Sequence, residues 1–198
     1  MKIISILFLA FIFAPIGKAQ DSNSHPVSGG SWELGVFSGG GLGLGKSDNT
    51  QFMYAGGRVG RIFGHDHLSG WFRGNFEWAF DVMPFYTVFP PASAVYGGSF
   101  KPAIWQWNFT SHKKIIPYVA AAGGIVFSTN DIPPGNTSPV NFTSQLVTGA
   151  HVFVKPGHAF FFEDAIGHLS SASLGRHNPG YNGLIEFTVG YSWFRGRK

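Results

Sequence analysis

Apolar and polar positions alternate with a period of two over eight stretches of the chain, each bounded by turn-forming residues. They run approximately over Ser31–Gly43, Gln51–Phe63, Trp71–Phe89, Tyr96–Phe109, Ile115–Thr129, Phe142–Val154, His158–Ala172 and Gly183–Phe194. The third stretch shows the pattern best. Phe72, Phe76, Trp78, Phe80 and Val82 share one parity, and Arg73, Asn75, Glu77 and Asp81 the other. In the fourth, Trp105, Trp107 and Phe109 alternate with Gln106 and Asn108; in the last, Ile185, Phe187, Val189, Tyr191 and Trp193 alternate with Glu186, Thr188, Gly190 and Ser192. The apolar faces are large and aromatic, while the polar faces mix both charge signs with Gly, Ser and Thr. A soluble β-sandwich buries its apolar face. An eight-stranded antiparallel transmembrane β-barrel does the reverse, with a narrow polar interior and an aromatic exterior, and that all-β fold is the one the pattern predicts.

Composition strengthens this reading. Aromatic residues make up 17% of the chain and charged residues only 12%, about half the usual share. The first nineteen residues, MKIISILFLAFIFAPIGKA, have the form of an export signal. Lys2 supplies the charged start, Ile3 to Ala14 the apolar core, and Gly17 and Ala19 the small residues before a cut at Gln20. The expected organisation is a signal at 1–19, an N-terminal segment at 20–30, the barrel at 31–194 and a tail at 195–198, in the outer membrane. Removing Lys2 and Lys18 lowers the formal charge from +4 to +2, too small a surplus to argue for nucleic acid. The chain has no cysteine, which excludes disulfides and thiolate metal sites.

The connections differ in length, with short ones at His112–Lys114 and Lys155–Gly157 and longer ones at Asn130–Asn141 and Ser173–Asn182. Short turns face the periplasm in such barrels and long loops face outward, so the seventh strand ends at the outer side. Inside, Arg58 and Arg73 are expected to pair with Glu33, Glu77, Asp81 or Glu163, because an unpaired charge there is costly.

Two motif matches lose their meaning in context. Gly40 to Ser47, GGLGLGKS, fits the phosphate-loop pattern, but no helical period follows to aim backbone N–H groups at phosphate. His65-Asp66-His67 falls in the turn between the second and third strands, and two histidines without a third ligand in view are weak metal ligands. No cofactor or metal is expected.

The stretch GHLSSASLGRHNPGYN, Gly167 to Asn182, leaves two readings open. On a strand His168 and Ser170 point to one face, ~6.5 Å apart along the chain, within reach of a base and its nucleophile. By parity they share that face with Phe160, Phe162, Asp164 and Ile166, so the site would open toward lipid unless a bulge changes the count. The other reading is a polar strand end meeting lipid headgroups.

His168-Leu169-Ser170-Ser171-Ala172 followed by Asn178-Pro179-Gly180 resembles the motif of the PagL-type lipid A 3-O-deacylases, outer-membrane acyl hydrolases that include members labelled acyloxyacyl hydrolase. A wider resemblance runs from about Trp32 to Phe194 through WELGVFSGGG, RGNFEWAFDVMP and PYVAAAGGIVFST. It implies an eight-stranded barrel in which Ser170 is the nucleophile and His168 the general base of a lipid A deacylase. The partner would be lipid A in the outer leaflet, with a homodimer as a further expectation. Acid-bearing members of the family have Glu where this chain has Asn182, and Asn where it has Ser171. Asn182 would then orient His168, and Ser171, Asn178 and Gly180 would support the oxyanion. The alternative is a barrel of the same descent with a structural or surface-binding role.

Overall fold

The computed structural model describes residues 27–45, 50–90, 94–132, 138–172, 174 and 182–196. The eight strands are β1 (Trp32–Gly45), β2 (Gln51–His67), β3 (Gly74–Phe89), β4 (Val95–Phe109), β5 (Ile115–Ser128), β6 (Val140–Lys155), β7 (His158–Ser170) and β8 (Asn182–Arg195). Each pairs antiparallel with the next, and β8 returns to pair with β1 from Trp32↔Arg195 to Gly45↔Asn182. The sheet is a closed eight-stranded antiparallel β-barrel. Among the described residues no helix is long and apolar enough to cross a membrane, which leaves open a crossing by strands.

Alternation sorts the side chains as expected. Trp32, Leu34, Val36, Trp78, Val82, Trp105, Leu146, Ile166 and Phe187 stand exposed on the outer wall. Tryptophans crowd toward the end that carries the short turns. Phe85, Phe89, Tyr96, Phe127 and Phe142 ring the opposite end, where the longer loops lie. An apolar wall of this extent suits hydrocarbon rather than water, with aromatic girdles at its two borders.

The lumen is packed. Arg58 lies at its centre, fully buried, with Nε donating to Asp81 Oδ1 at 2.8 Å and Nη2 to Oδ2 at 3.0 Å. Its Nη1 donates to Glu163 Oε1 at 2.6 Å, and the Tyr118 hydroxyl donates to the same oxygen at 2.9 Å. The guanidinium also lies 5.0 Å from the centre of the Phe161 ring. Toward the loop end, Glu186 accepts from Lys101 Nζ at 3.3 Å, from the Tyr54 hydroxyl at 3.2 Å and from Gln145 Nε2. A cavity of about 10 Å³ between Arg58 and Lys101 is no larger than one water molecule. Aromatic rings fill the remaining loop-end space, where Phe52, Tyr54 and Tyr86 stack at centroid distances of 5.8 to 6.3 Å.

Several expectations change in detail. Arg58 pairs with Asp81 and Glu163, as the sequence suggested, but Arg73 does not enter the lumen. A 3-10 turn at Gly70–Phe72 takes the place of the first residues expected in the third strand, which begins at Gly74 rather than Trp71. Arg73 lies in that connection and bonds Asp66 Oδ2 at 2.9 Å. Glu77 takes its partners from Gln106 and Asn108, and Glu33 from Ser192, rather than from arginines. His65-Asp66-His67 is an extension of β2 past a register shift, not a turn. There Asp66 also accepts from Asn75 at 3.1 Å and Thr110 at 2.9 Å, which ties the turn end together. Gly40–Gly45 completes β1 as strand; Lys46 and Ser47 lie outside the described residues.

A residue ahead of β1 packs into the turn end of the lumen. Val27 is fully buried against Ile62, Ile116, Phe153, Ala159 and Phe194, and its carbonyl accepts from Asn75 Nδ2 at 3.0 Å. Val27 therefore fills the turn end of the lumen. The expected signal at 1–19 lies outside the described residues, as does 20–26.

Arg58 is the cation that two buried carboxylates share, and removing one partner of a buried ion pair costs about 3–5 kcal/mol. Arg58→Met is expected to lower stability by about that amount in urea unfolding of the detergent-refolded barrel. An unchanged unfolding midpoint would show that Asp81 and Glu163 do not depend on it.

Candidate active site on the outer wall

β7 alternates without interruption through the region of interest. Phe161, Ala165 and Leu169 are buried in the lumen, whereas Phe162, Asp164 and Ile166 are exposed and His168 and Ser170 half-buried on the outer wall. The β6–β7 and β7–β8 registers run without a shift from Ala159 to the ends of their ladders. No bulge intervenes, so His168 and Ser170 face outward as their parity implied. They occupy the loop end of the strand, level with the girdle formed by Phe127 and Phe142.

Register supplies the neighbours. His168 lies between Ser144 on β6 and Gly183 on β8, and Ser170 lies beside Phe142. Asp164, lower on the same face, lies opposite Thr148, so two polar residues interrupt the apolar wall there as well. Among the described residues no hydrogen bond links Ser170 to His168. Such catalytic contacts are often loose before substrate binds, and the shared face and spacing are what the backbone provides.

The remaining candidates divide. Ser171 is buried immediately after the strand, and the N–H of Leu174 donates to its carbonyl at 2.9 Å. Ala172 then adopts φ +47°, a left-handed conformation that non-glycine residues seldom hold, and such strain gathers at functional sites. Asn182 opens β8, one residue before Gly183, the partner of His168. It is buried, and alternation sets it with Leu184 and Glu186 on the lumen parity, opposite to that of His168 and Ser170. Asn178 and Gly180 lie outside the described residues.

Ser144 is the site neighbour that sequence reading did not single out. The signal was the short turn after β6, from which paired positions can be counted back. That count depends on the register shift between Phe153 and Lys155, because without it His168 would pair with Gln145, a lumen residue.

The fold thus defines a class: a closed eight-stranded barrel with a packed polar lumen, here carrying a few polar side chains on its outer wall. No family model matches the sequence, and no curated protein matches it either. Among solved structures the chain is similar to the outer membrane enzyme PagL, at 16% identity and a TM-score of 0.53, covering 80% of this chain and 98% of that one. It is also similar to the N-terminal β-barrel domain of Pseudomonas aeruginosa OprF, at 15% identity and a TM-score of 0.49, covering 84% and 99%. Pseudomonas aeruginosa OprG matches at 8% identity and a TM-score of 0.49, covering 89% and 100%. At these identities the likeness is one of fold.

The left-handed turn at Ala172 generates a test of its own. A β-branched side chain fits that conformation worse than Ala, so Ala172→Val should destabilise the folded barrel by about 1 kcal/mol, while Ala172→Gly should not. Urea midpoints of the two variants measure the difference. Equal destabilisation by both would mean that the methyl contact rather than the backbone matters at this position.

Proposed function

We propose that this protein is an outer-membrane serine esterase that removes an ester-linked acyl chain from lipid A. The observation that carries the reading is the pair His168 and Ser170, outward-facing on an apolar wall and level with its loop-end girdle. A soluble substrate has no reason to visit such a place. An amphiphile in the same leaflet presents its ester bonds at that depth, below its sugar and above its acyl tails. The sequence resemblance around His168-Leu169-Ser170-Ser171-Ala172 and the barrel likeness to the outer membrane enzyme PagL support the same reading.

The chemistry follows from the two side chains. His168 takes the proton of the Ser170 hydroxyl as its oxygen attacks the ester carbonyl. The tetrahedral intermediate collapses with loss of the sugar alkoxide, which receives that proton from the imidazolium. An acyl-Ser170 ester remains. Water, deprotonated by His168, attacks this ester and releases the fatty acid, restoring the Ser170 hydroxyl. The strained turn from Ser171 to Ala172 offers backbone N–H groups near the developing oxyanion, the type of donor that acyl transfer needs. An amide at Asn182 would fix the imidazole tautomer without neutralising the imidazolium, as in Cys-His-Asn proteases.

Barrels of this size also serve without catalysis, so the test must separate chemistry from fold. Ser170→Ala and His168→Ala should each abolish fatty-acid release from lipid A in mixed micelles while keeping the heat-dependent gel shift of a folded barrel. Asn182→Ala should slow release by part of the ~10²–10⁴-fold a general base supplies, and Asn182→Glu should accelerate it. A folded Ser170→Ala that works as fast as the parent protein removes the esterase reading.

A further inference from the structure

The rim that carries the short turns is rich in cations. Arg73, Lys113, Lys114, Lys155 and Arg195 are exposed there. Among the described residues this rim has one carboxylate outside the lumen, Asp66, and Arg73 takes it at 2.9 Å. The other four cations pair with no described carboxylate. A surplus of this kind along one edge draws anions to it.

Two neighbouring connections add an apolar tip to the rim. Leu68, Trp71 and Phe72 lie between β2 and β3, and Trp71, 81% exposed, is the most exposed large apolar side chain described. Leu68 holds φ +63°, at an exposed position where glycine or asparagine is the ordinary occupant. The tip is tied down by hydrogen bonds. The Ser111 hydroxyl donates to the Gly70 carbonyl at 2.7 Å, and the N–H of Thr110 donates to the Arg73 carbonyl at 2.8 Å, which joins the β2–β3 and β4–β5 connections. Trp71 meets the His112 ring edge-on with centroids 6.0 Å apart, and the Lys114 carbonyl accepts from the N–H of Phe153 at 2.8 Å. Lys113 and Lys114 therefore stand on the same structured platform as Trp71. Exposed Phe63 and Ile115 continue the apolar outer wall to the foot of these turns.

We propose that this platform docks an anionic phospholipid of the leaflet that the short turns face. Lys113 and Lys114 take the phosphate, and Leu68, Trp71 and Phe72 enter the leaflet beside the acyl chains. Cations next to exposed apolar side chains, continuous with a wall suited to hydrocarbon, fit an anionic amphiphile on both counts. A soluble acidic protein would meet the charges but has no use for that continuity. The proposal is independent of the esterase reading, whose residues lie at the opposite end of the barrel.

The chain has no cysteine, so Leu68→Cys gives the full exported protein one position for an environment-sensitive dye. The labelled barrel is refolded in detergent, checked by the gel heat-shift and reconstituted into phosphatidylcholine vesicles holding a minor share of phosphatidylglycerol. Bromine on the acyl chains of one lipid or the other then quenches the dye according to which lipid lies beside it. Each Lys or Arg at an anionic surface favours the anionic lipid about fivefold, so two lysines should enrich phosphatidylglycerol beside the dye by about five- to twenty-fivefold. Lys113→Gln combined with Lys114→Gln should return it to near its bulk share. Trp71→Ser combined with Phe72→Ser should shift the dye emission toward that in water. High salt should weaken the enrichment in the labelled parent, because exposed charges are screened, and this arm needs no further substitution.

Equal quenching by the two brominated lipids in the folded parent overturns the proposal. So does an enrichment that salt leaves unchanged, or one that survives the double lysine substitution. A dye whose emission stays water-like in these vesicles means that the turns stand clear of the bilayer; it also overturns the proposal and leaves the face to a soluble partner.

Discussion

The return of β8 to β1 is the constraint on which everything else in this protein depends. Within the sheet it leaves no strand edge bare, and in hydrocarbon a bare edge has nothing to bond. Closure also divides the molecule in two. Each strand residue must face either a narrow lumen or the surroundings, and the period of the backbone decides which. Eight strands enclose too little space for two large side chains at the same point, so bulk on one strand is answered by glycine on a neighbour. A methyl group at Gly39 would meet the Tyr54 ring at 2.7 Å, and one at Gly41 the Phe52 ring at 2.6 Å. The glycine run of β1, which resembles a nucleotide loop on paper, is thus the space that these rings occupy.

The same narrowness determines where chemistry can occur. Carboxylates inside are committed to partners: Asp81 and Glu163 to Arg58, Glu186 to Lys101 and Tyr54, Glu77 to two amides. Val27 packs the turn end, and stacked rings crowd the loop end. Among the described residues such an interior leaves space for no more than a water molecule. A reactive pair on the lumen face would meet nothing to react with, whereas on the outer wall it meets the membrane itself.

Much of this was legible in the sequence, because alternation and closure are both local consequences of residue type. Strand number and the outward parity of His168 and Ser170 followed from counting in twos, and a carboxylate partner for Arg58 from the cost of unpaired charge, though which of four carboxylates it would take did not. What failed was whatever depends on irregularity. Pro102 cannot donate to a ladder, and the registers of β4 carry an extra residue around it, so Lys101 and Ile104 both turn inward despite their opposite parity. A 3-10 turn begun at Gly70, at φ +60°, removed Arg73 from the lumen. Val27 plugs the barrel from outside any strand, where alternation carries no information. Ser144 escaped for a related reason. Its neighbour is set by the shift beside Lys155, and a count one residue different would have placed His168 opposite a lumen glutamine.

A site on the outside of a barrel solves a problem that a soluble lipase solves with a cleft. Water must be kept from the acyl-enzyme until its turn, and the acyl chain must be held while its ester reacts. On the proposed reading the bilayer performs both tasks: the tails already lie against Ile166, Leu146 and Phe162, and the ester already lies near the girdle. The protein has only to interrupt its apolar wall with a few polar groups at the right depth. Register places those groups: Ser144 on β6 and Gly183 on β8 stand beside His168 at the same height, and Phe142 stands beside Ser170.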